Sequence, residues 1–225
     1  MPEWWSYSLS DFLLFSPRTY YRLIERYNLA VWPAHVATLG LGLGFLALLR
    51  RKTAWQGRSI AGVLALLWAW VAWAFLWQRY LTINWAAVYI LPLFTLEVLL
   101  LLWIGLVRNR LTFQVSRRLP GVAGTALLAF SVVGYPALAP VLGRSWRQAE
   151  VFGIAPDPTV LGTAGLLLLT EGRARWGLLA VPLIWCLVSG LTLWTMGSPE
   201  AILPAMGIVI VFTAAGLKAG PEPVR

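Results

Sequence analysis

Three ionisable side chains, His35, Glu97 and Asp157, lie within long apolar stretches of the sequence. Glu97 is the most informative of them, because it lies at the centre of an otherwise uncharged run from 85 to 107. A carboxylate in the middle of a bilayer costs roughly 2.5–3.5 kcal/mol on insertion scales, so such a residue usually has a partner or a function. Carboxylate and imidazole groups exchange protons and lose their charge when they are desolvated. The three residues therefore indicate a path for protons or cations, with Glu97 at its deepest point.

Each of these residues also has a structural interpretation. Glu97 could be protonated and hydrogen-bonded to a neighbouring helix, which would hold the two helices together. His35 could be a neutral packing residue near the lipid headgroups. Asp157 could cap a half-helix beginning at Pro158, where a carboxylate suits the free backbone donors and the positive end of the helix dipole. We favour the structural interpretation for His35 and Asp157, and for Glu97 both interpretations stay open.

The composition places these residues in a membrane. Of the 225 residues, 59% are hydrophobic and 12% are charged, and the charged share is about half that of a typical soluble domain. Several apolar stretches exceed the roughly 18 residues needed to cross a hydrocarbon core of about 30 Å. We therefore predict an all-α polytopic membrane helix bundle. Its seven predicted spans are 29–49, 60–78, 85–107, 121–142, 151–170, 176–196 and 201–217.

The distribution of charge predicts the orientation. The chain has 18 Lys and Arg against 9 Asp and Glu, and the basic residues concentrate in the connections between apolar runs. With the N-terminus outside, the cytoplasmic segments hold 12 of the basic residues and the outer segments hold 6, in agreement with the positive-inside rule. We expect the basic loops to face the cytoplasm, where they meet anionic lipid headgroups. No basic domain stands free of the membrane, which argues against nucleic-acid binding.

The chain divides into an N-terminal interfacial segment at 1–28, a transmembrane bundle at 29–217 and a short cytoplasmic tail at 218–225. Ser16 and Pro17 predict the start of a helix in the first segment. One face of that helix carries Tyr20, Leu23, Ile24 and Tyr27, and another carries Arg18, Arg22 and Arg26. An amphipathic helix of this kind is expected to lie in the membrane interface, with its aromatic rings in the headgroup layer.

Other local patterns are weaker. Gly40 and Gly44, four residues apart in the first span, predict a face for close helix packing. Cys186 and His35 are the single cysteine and histidine of the chain, too few for a usual zinc, haem or iron–sulfur site, and we expect no cofactor and no metal. Two prolines flank Asp157 and interrupt the fifth span, 151–170, which could be a broken helix that spans the membrane or a re-entrant hairpin. Broken helices often mark binding sites in transporters.

Two blocks of sequence resemble a bacterial family catalogued as domain of unknown function 6064. The first block is SLSDFLLFSPRTYYR at 8–22, and the second is FGIAPDPT at 152–159 followed by GLLL at 165–168. The resemblance covers the whole chain and implies a multi-pass membrane protein, and the family supplies no activity, ligand or catalytic residue. In that family a cysteine commonly stands between the two prolines. This chain has Asp157 there, which argues against an essential role for the carboxylate.

Taken together, these features predict a small transporter or ion-translocating protein that uses Glu97 as its buried carboxylate. The alternative is a non-catalytic membrane scaffold or accessory subunit that binds its partners through the N-terminal helix and the tryptophan-rich faces. Either protein could form a homo-oligomer. An enzyme acting on lipid is the weakest interpretation, because ionisable residues are so few.

Overall fold

A computed structural model of the protein describes residues 14–51, 53–171 and 174–218. Within these ranges the chain forms helices joined by short connections, and an isolated bridge pairs Phe113 with Thr170. The predicted tail beyond Lys218 and the first 13 residues of the predicted interfacial segment lie outside the described ranges. The helices are α1 (Pro17–Val31), α2 (Ala34–Leu48), α3 (Gln56–Trp70), α4 (Ala87–Leu100), α5 (Leu119–Ala129), α6 (Tyr135–Val141), α7 (Pro156–Leu168), α8 (Ala174–Thr195) and α9 (Ile202–Lys218).

Several of these helices continue through wider, π-helical segments. The π-helical segment Val71–Trp77 follows α3, Leu101–Val107 follows α4, and Phe130–Gly134 joins α5 to α6. These extensions give the helices the length that a membrane span requires.

Four helices of the described chain are long and apolar enough to cross a membrane, namely Gln56–Thr82, Ala87–Val107, Leu119–Val141 and Arg175–Thr195. They correspond to the second, third, fourth and sixth predicted spans. The predicted count of seven is not confirmed, because α7 has only 13 residues and α9 has 17. At 1.5 Å per residue, 13 residues reach about 20 Å, which is less than a hydrocarbon core of about 30 Å.

The first predicted span, 29–49, starts at the wrong place. Helix α1 continues to Val31, and the chain then turns by 90° before α2 begins. Trp32 has an extended backbone with ψ of 134°, the conformation that a following proline favours. Pro33 therefore separates two helices, although it lies within the first predicted span. Together α1 and α2 could supply a fifth span only as a bent pair.

The connections between helices gather at two ends of the bundle. At the first, which we call the α1 end, α1 contacts the connections 142–155 and 196–201 through side-chain hydrogen bonds of Tyr20 and Tyr21. At the second, which we call the basic end, Gln56 donates to the carbonyl oxygens of Leu48 and Arg51. There Gln114 N–H also donates to Leu169 O at 2.9 Å. Helices α3 and α4 run in opposite directions, whereas α5 and α6 are parts of one continuous helix.

Helix α7 forms the centre of the molecule, and all 13 of its residues are buried. A helix that is apolar on all sides must be covered on all sides, and α5, α8 and α9 supply this cover. The closest approach is between two glycines, because a Cβ added to Gly165 would lie 2.7 Å from Gly124 O and 2.8 Å from Leu128 N. The absence of both side chains lets the two backbones touch.

The predicted packing face at Gly40 and Gly44 is wrong. A Cβ added to either glycine would meet no atom of the described residues within 4 Å. Gly42 between them is the packed residue, since an added Cβ would lie 2.7 Å from a methyl carbon of Val132. Spacing four apart marks one face of the helix, but it does not tell which face meets a neighbour.

We expect Gly165→Ala to lower the free energy of unfolding by about 1–3 kcal/mol, because the new methyl group overlaps backbone atoms of α5 that cannot rotate away. Thermal unfolding of the detergent-solubilised protein, followed by tryptophan fluorescence, measures the change. Gly44→Ala is the matched control, and it should be neutral or stabilising by up to about 1 kcal/mol, since alanine favours a helix. Equal stability of the two variants would contradict this packing.

Candidate functional site

The three residues singled out in the sequence lie in three different environments. Among the described residues, no hydrogen bond or ion pair joins any two of His35, Glu97 and Asp157. The predicted path for protons or cations therefore does not form as a direct chain of contacts between these residues. Each residue must be considered with its own neighbours.

His35 lies at the turn between α1 and α2. Its Nε2 is 3.1 Å from Oδ1 of Asn28. The Asn28 amide in turn donates to the carbonyl oxygens of Arg147 and Ala149, both at 2.8 Å. The pair fastens the turn to the connection 142–155, which is the packing role favoured for His35.

Asp157 joins three helices. Its carboxylate accepts hydrogen bonds from Trp185 Nε1 at 2.6 Å, from the Ser189 hydroxyl at 2.7 Å and from the Tyr135 hydroxyl at 3.3 Å. These donors lie on α6 and α8. The cap predicted for Asp157 is wrong, because α7 begins at Pro156 and has Ala155 as its N-cap, with no side-chain cap bond. Asp157 lies in the first turn, and its side chain binds neighbouring helices instead of its own backbone.

Two further carboxylates lie near Asp157 at the α1 end. Glu150 accepts a hydrogen bond from the Tyr20 hydroxyl at 3.2 Å, and its second oxygen has no partner among the described residues. Glu200 forms an ion pair with Arg144. We call Glu150, Asp157, Glu200 and Arg144 the carboxylate cluster. It contains three acids and one cation, so it can be neutral only if protons are bound.

Helix α1 covers this cluster. The Tyr21 hydroxyl donates to Glu200 at 2.9 Å, and the Arg144 guanidinium lies over the Tyr21 ring at 4.1 Å from its centre. Beside Tyr20, Trp185 and Ser189 there is a cavity of about 10 Å³, which is about the space for one water molecule. The face of α1 that was predicted to enter the headgroup layer is thus buried against protein instead, with Tyr20 6% and Tyr27 1% exposed.

The environment of Glu150 favours its protonated form. Burial raises the pKa of Glu150 well above its usual range, and the carboxylates of Asp157 and Glu200 raise it further, against the opposing effect of Arg144. A desolvated acid beside other acids binds a proton more tightly, because its charge is neither hydrated nor matched. Glu150 therefore holds a proton at pH values where an exposed glutamate has lost it.

Glu97 is 0% exposed, and neither of its carboxylate oxygens has a hydrogen-bond partner among the described residues. The interhelical hydrogen bond considered for it is therefore wrong. One turn before it on α4, the Phe94 ring packs between Trp68 and Trp185, with ring centres 4.6 and 5.1 Å away. Trp185 also binds Asp157, so this aromatic stack connects the carboxylate cluster to the helix that carries Glu97.

The described part of the chain contains no group of three or more His, Cys, Asp or Glu side chains placed to hold a metal ion. The cluster acids are bound by hydroxyl, indole and guanidinium groups instead. The chemistry that this arrangement can perform is uptake and release of protons.

Sequence reasoning missed Glu150, Glu200 and Arg144. Their signal was the presence of opposite charges in two connections that were both predicted to lie outside, 143–150 and 197–200. Glu150 also lies two residues before the second block of family resemblance. Charges in connections are usually solvated, and only the packing of α1 over this end shows that these are buried.

Asp157→Ala should lower the free energy of unfolding by about 3 kcal/mol or more, because three buried donors lose their acceptor at about 1–3 kcal/mol each. Asp157→Asn keeps one acceptor oxygen and should cost less. Differential scanning fluorimetry in detergent provides the measurement, with Glu171→Ala, at an exposed position, as the control. A melting temperature for Asp157→Ala equal to that of the control would show that the three donors do not depend on this carboxylate.

Glu150→Gln should change how stability depends on pH. The folded state keeps the Glu150 proton to higher pH than the unfolded state does, so the wild-type protein loses stability as pH rises from about 4.5, the ordinary value, through the raised pKa. Glutamine does not titrate and still accepts from Tyr20. The variant should match the wild type at acidic pH and exceed it increasingly towards neutral pH, as measured by melting temperature in a pH series. Parallel curves for the two proteins would mean that the pKa of Glu150 is not raised.

Comparison with known proteins gives one family and no individual relative. Neither a curated protein nor a solved structure matches the chain. The family model described as "Family of unknown function (DUF6064)" matches residues 18–218, which include all four long apolar helices and the whole carboxylate cluster. The chain therefore belongs to the DUF6064 family.

Proposed function

We propose that the protein is a proton-translocating protein of the bacterial cytoplasmic membrane, with Glu97 as the residue that carries the proton. The observation that supports this most directly is the burial of Glu97, without a hydrogen-bond partner in the described chain, halfway along the candidate span Ala87–Val107. An ionised carboxylate there would lack both water and a counter-charge, at a cost of several kcal/mol. Glu97 is therefore neutral at rest, and it can release its proton only to a group or a water molecule that reaches it.

The seven-span topology is part of this proposal. Helices α2, α3, α4, the α5–α6 pair, α7, α8 and α9 run alternately between the α1 end and the basic end, and α7 is a short span enclosed by the others. With α1 at the outer surface, the basic end faces the cytoplasm. Its arginines would then meet anionic lipid headgroups, as the positive-inside rule requires. The residues concerned are Arg50, Arg51, Arg58, Arg108, Arg110, Arg117 and Arg118.

The carboxylate cluster serves as the proton entry in this scheme. Its excess of acids over cations keeps protons bound at the α1 end, and the small cavity beside Trp185 and Ser189 can hold a water molecule. Between the cluster and Glu97 lie the packed rings of Trp185 and Phe94. A proton can pass this barrier only when the rings move, so the proposal requires slow, gated transfer and excludes an open channel.

Glu97→Gln should reduce proton flux by about 100-fold or to the background leak, because the amide has almost the same shape and cannot carry the proton. Flux is measured in proteoliposomes with an internal pH-sensitive dye after a pH step, at clamped membrane potential. Glu171→Gln removes an exposed acid at the basic end and serves as the matched control.

Unchanged flux in Glu97→Gln, with normal flux in the control, would remove Glu97 from the mechanism. Wild-type flux no higher than in empty liposomes would overturn the proposed function, and the scaffold would become the leading hypothesis. The scaffold would bind partners through its tryptophan-rich faces, and of three neighbouring tryptophans Trp68 is buried while Trp70 and Trp73 are 36% and 55% exposed. An exposed indole could face either lipid or a partner protein. The exposure of these tryptophans therefore does not favour the scaffold hypothesis over the transporter.

A further inference from the structure

A cleft lined by four arginines lies at the α1 end, outside the carboxylate cluster. One wall is α1, where Arg18, Arg22 and Arg26 follow one another at intervals of four residues. Residues at this spacing project from the same side of a helix. The opposite wall is the end of the candidate span Gln56–Thr82, which contributes Arg79. The cavity between them has a volume of about 380 Å³, within the range of roughly 300–1,000 Å³ typical of small-ligand sites.

The cleft concentrates positive charge. No acidic residue is among those that line it, and its other lining residues are Thr19, Leu23, Thr82 and Ile83. Glu25, the acidic residue of α1, lines a neighbouring cavity together with Arg18 and Arg22, and it accepts a hydrogen bond from Gln148 at 3.0 Å. One acid therefore lies beside a group of four arginines, which keeps an excess of positive charge. The ion pair found in the described chain, Arg144 with Glu200, lies in the carboxylate cluster.

Folding keeps these arginines together although their charges repel. The opposite face of α1 is held against the bundle by Tyr20, Ile24 and Tyr27, which are 6%, 1% and 1% exposed. Tyr27 donates to Ile154 O at 3.2 Å and accepts from Trp70 Nε1 at 3.1 Å. Because α1 is fixed in this way, its arginines cannot spread apart as they could on a free helix. An anion in the cleft would relieve the repulsion at no further cost in ordering the helix.

The position of the cleft indicates the source of that anion. Arg79 and Thr82 lie in the last turns of a helix long enough to cross the membrane, where the hydrocarbon gives way to headgroups. Trp77 and Trp85, on either side of them in sequence, are 53% and 62% exposed. Exposed tryptophans near the end of a span are typical of the headgroup layer. Leu23 and Ile83 add apolar surface to the cleft, which suits the glycerol and upper acyl carbons of a lipid better than a fully hydrated ion.

We propose that this cleft binds the headgroup of an anionic lipid that carries two phosphate groups. A guanidinium binds phosphate through two parallel hydrogen bonds, and four of them on two facing walls match two phosphates better than one. The Thr19 hydroxyl supplies a further polar group at the rim, whereas the Thr82 hydroxyl already donates to the carbonyl oxygen of Arg79. This site is independent of proton transfer at Glu97, and it would hold for a transporter or for a scaffold.

The test uses the full-length protein in neutral detergent, titrated with cardiolipin, a lipid with two phosphodiesters, and followed by native mass spectrometry. Phosphatidylglycerol, with one phosphodiester, and phosphatidylcholine, with no net charge, are the comparison lipids. The expected order of affinity is cardiolipin, then phosphatidylglycerol, then phosphatidylcholine. The double variant Arg22→Gln with Arg79→Gln should weaken cardiolipin binding by about tenfold or more, since one charged hydrogen bond is worth about that much.

The matched control is Arg117→Gln with Arg118→Gln, which removes the same charge from two exposed arginines at the basic end and should change the affinity by less than about twofold. Arg22→Lys with Arg79→Lys keeps the charge but loses the paired hydrogen bonds, and should give an intermediate affinity if the cleft is folded. Equal loss in the two glutamine variants would overturn the proposal, because binding would then follow net charge alone. If free pyrophosphate displaced cardiolipin at equimolar concentration, the cleft would be assigned to a soluble ligand, and the proposal that it binds a lipid headgroup would be overturned.

Discussion

The burial of α7 on every side is the constraint on which the rest of the structure depends. A short helix at the centre of a bundle has no contact with solvent at either end, so the polar groups of its first turn must be satisfied by protein. Asp157 lies in that turn and receives hydrogen bonds from Tyr135, Trp185 and Ser189. The chain before α7 is equally enclosed, and Gly153 N–H donates to the Thr159 hydroxyl at 2.8 Å. Helix α1 then closes this end by binding Glu150 and Glu200.

The two kinds of buried acid in this protein differ in what surrounds them. Asp157 is held by three donors and belongs to the packing of the bundle, so its removal should be costly to stability. Glu97 has no such donors in the described chain, and the aromatic rings near it offer no counter-charge. The Glu97 side chain contributes no hydrogen bond to the described fold and is costly whenever it ionises, and this is why we propose it as the residue that carries the proton. The structural interpretation favoured for Asp157 holds, but its role is to bind neighbouring helices and not to cap its own helix.

Local patterns in the sequence predicted the long helices well, and contacts between distant segments account for what they missed. Four predicted spans have both ends within four residues of the ends of a helix in the structure, namely 60–78, 85–107, 121–142 and 176–196. They could be predicted because the length of an apolar run and the polar residues that bound it are local signals. The serine before Pro17 caps α1 as predicted, with its hydroxyl accepting from Thr19 N–H at 3.2 Å. The pairs that build the carboxylate cluster are separated by 130 residues for Tyr20 and Glu150, and by 56 for Arg144 and Glu200. No periodicity encodes such pairs, since they depend on how α1 folds back over the bundle.

The π-helical segment Leu101–Val107 begins just beyond the residue that carries the proposed proton. Leu101 N–H still closes an ordinary turn to the carbonyl oxygen of Glu97, and the wider winding starts at that point. A π turn contains about one residue more than an α turn. Rewinding it as an α-helix would therefore rotate everything on one side by about 100° relative to the other. A quarter-turn of that size would turn the Glu97 side chain away from its present neighbours, and the Phe94 ring on the same helix would leave Trp68 and Trp185 with it.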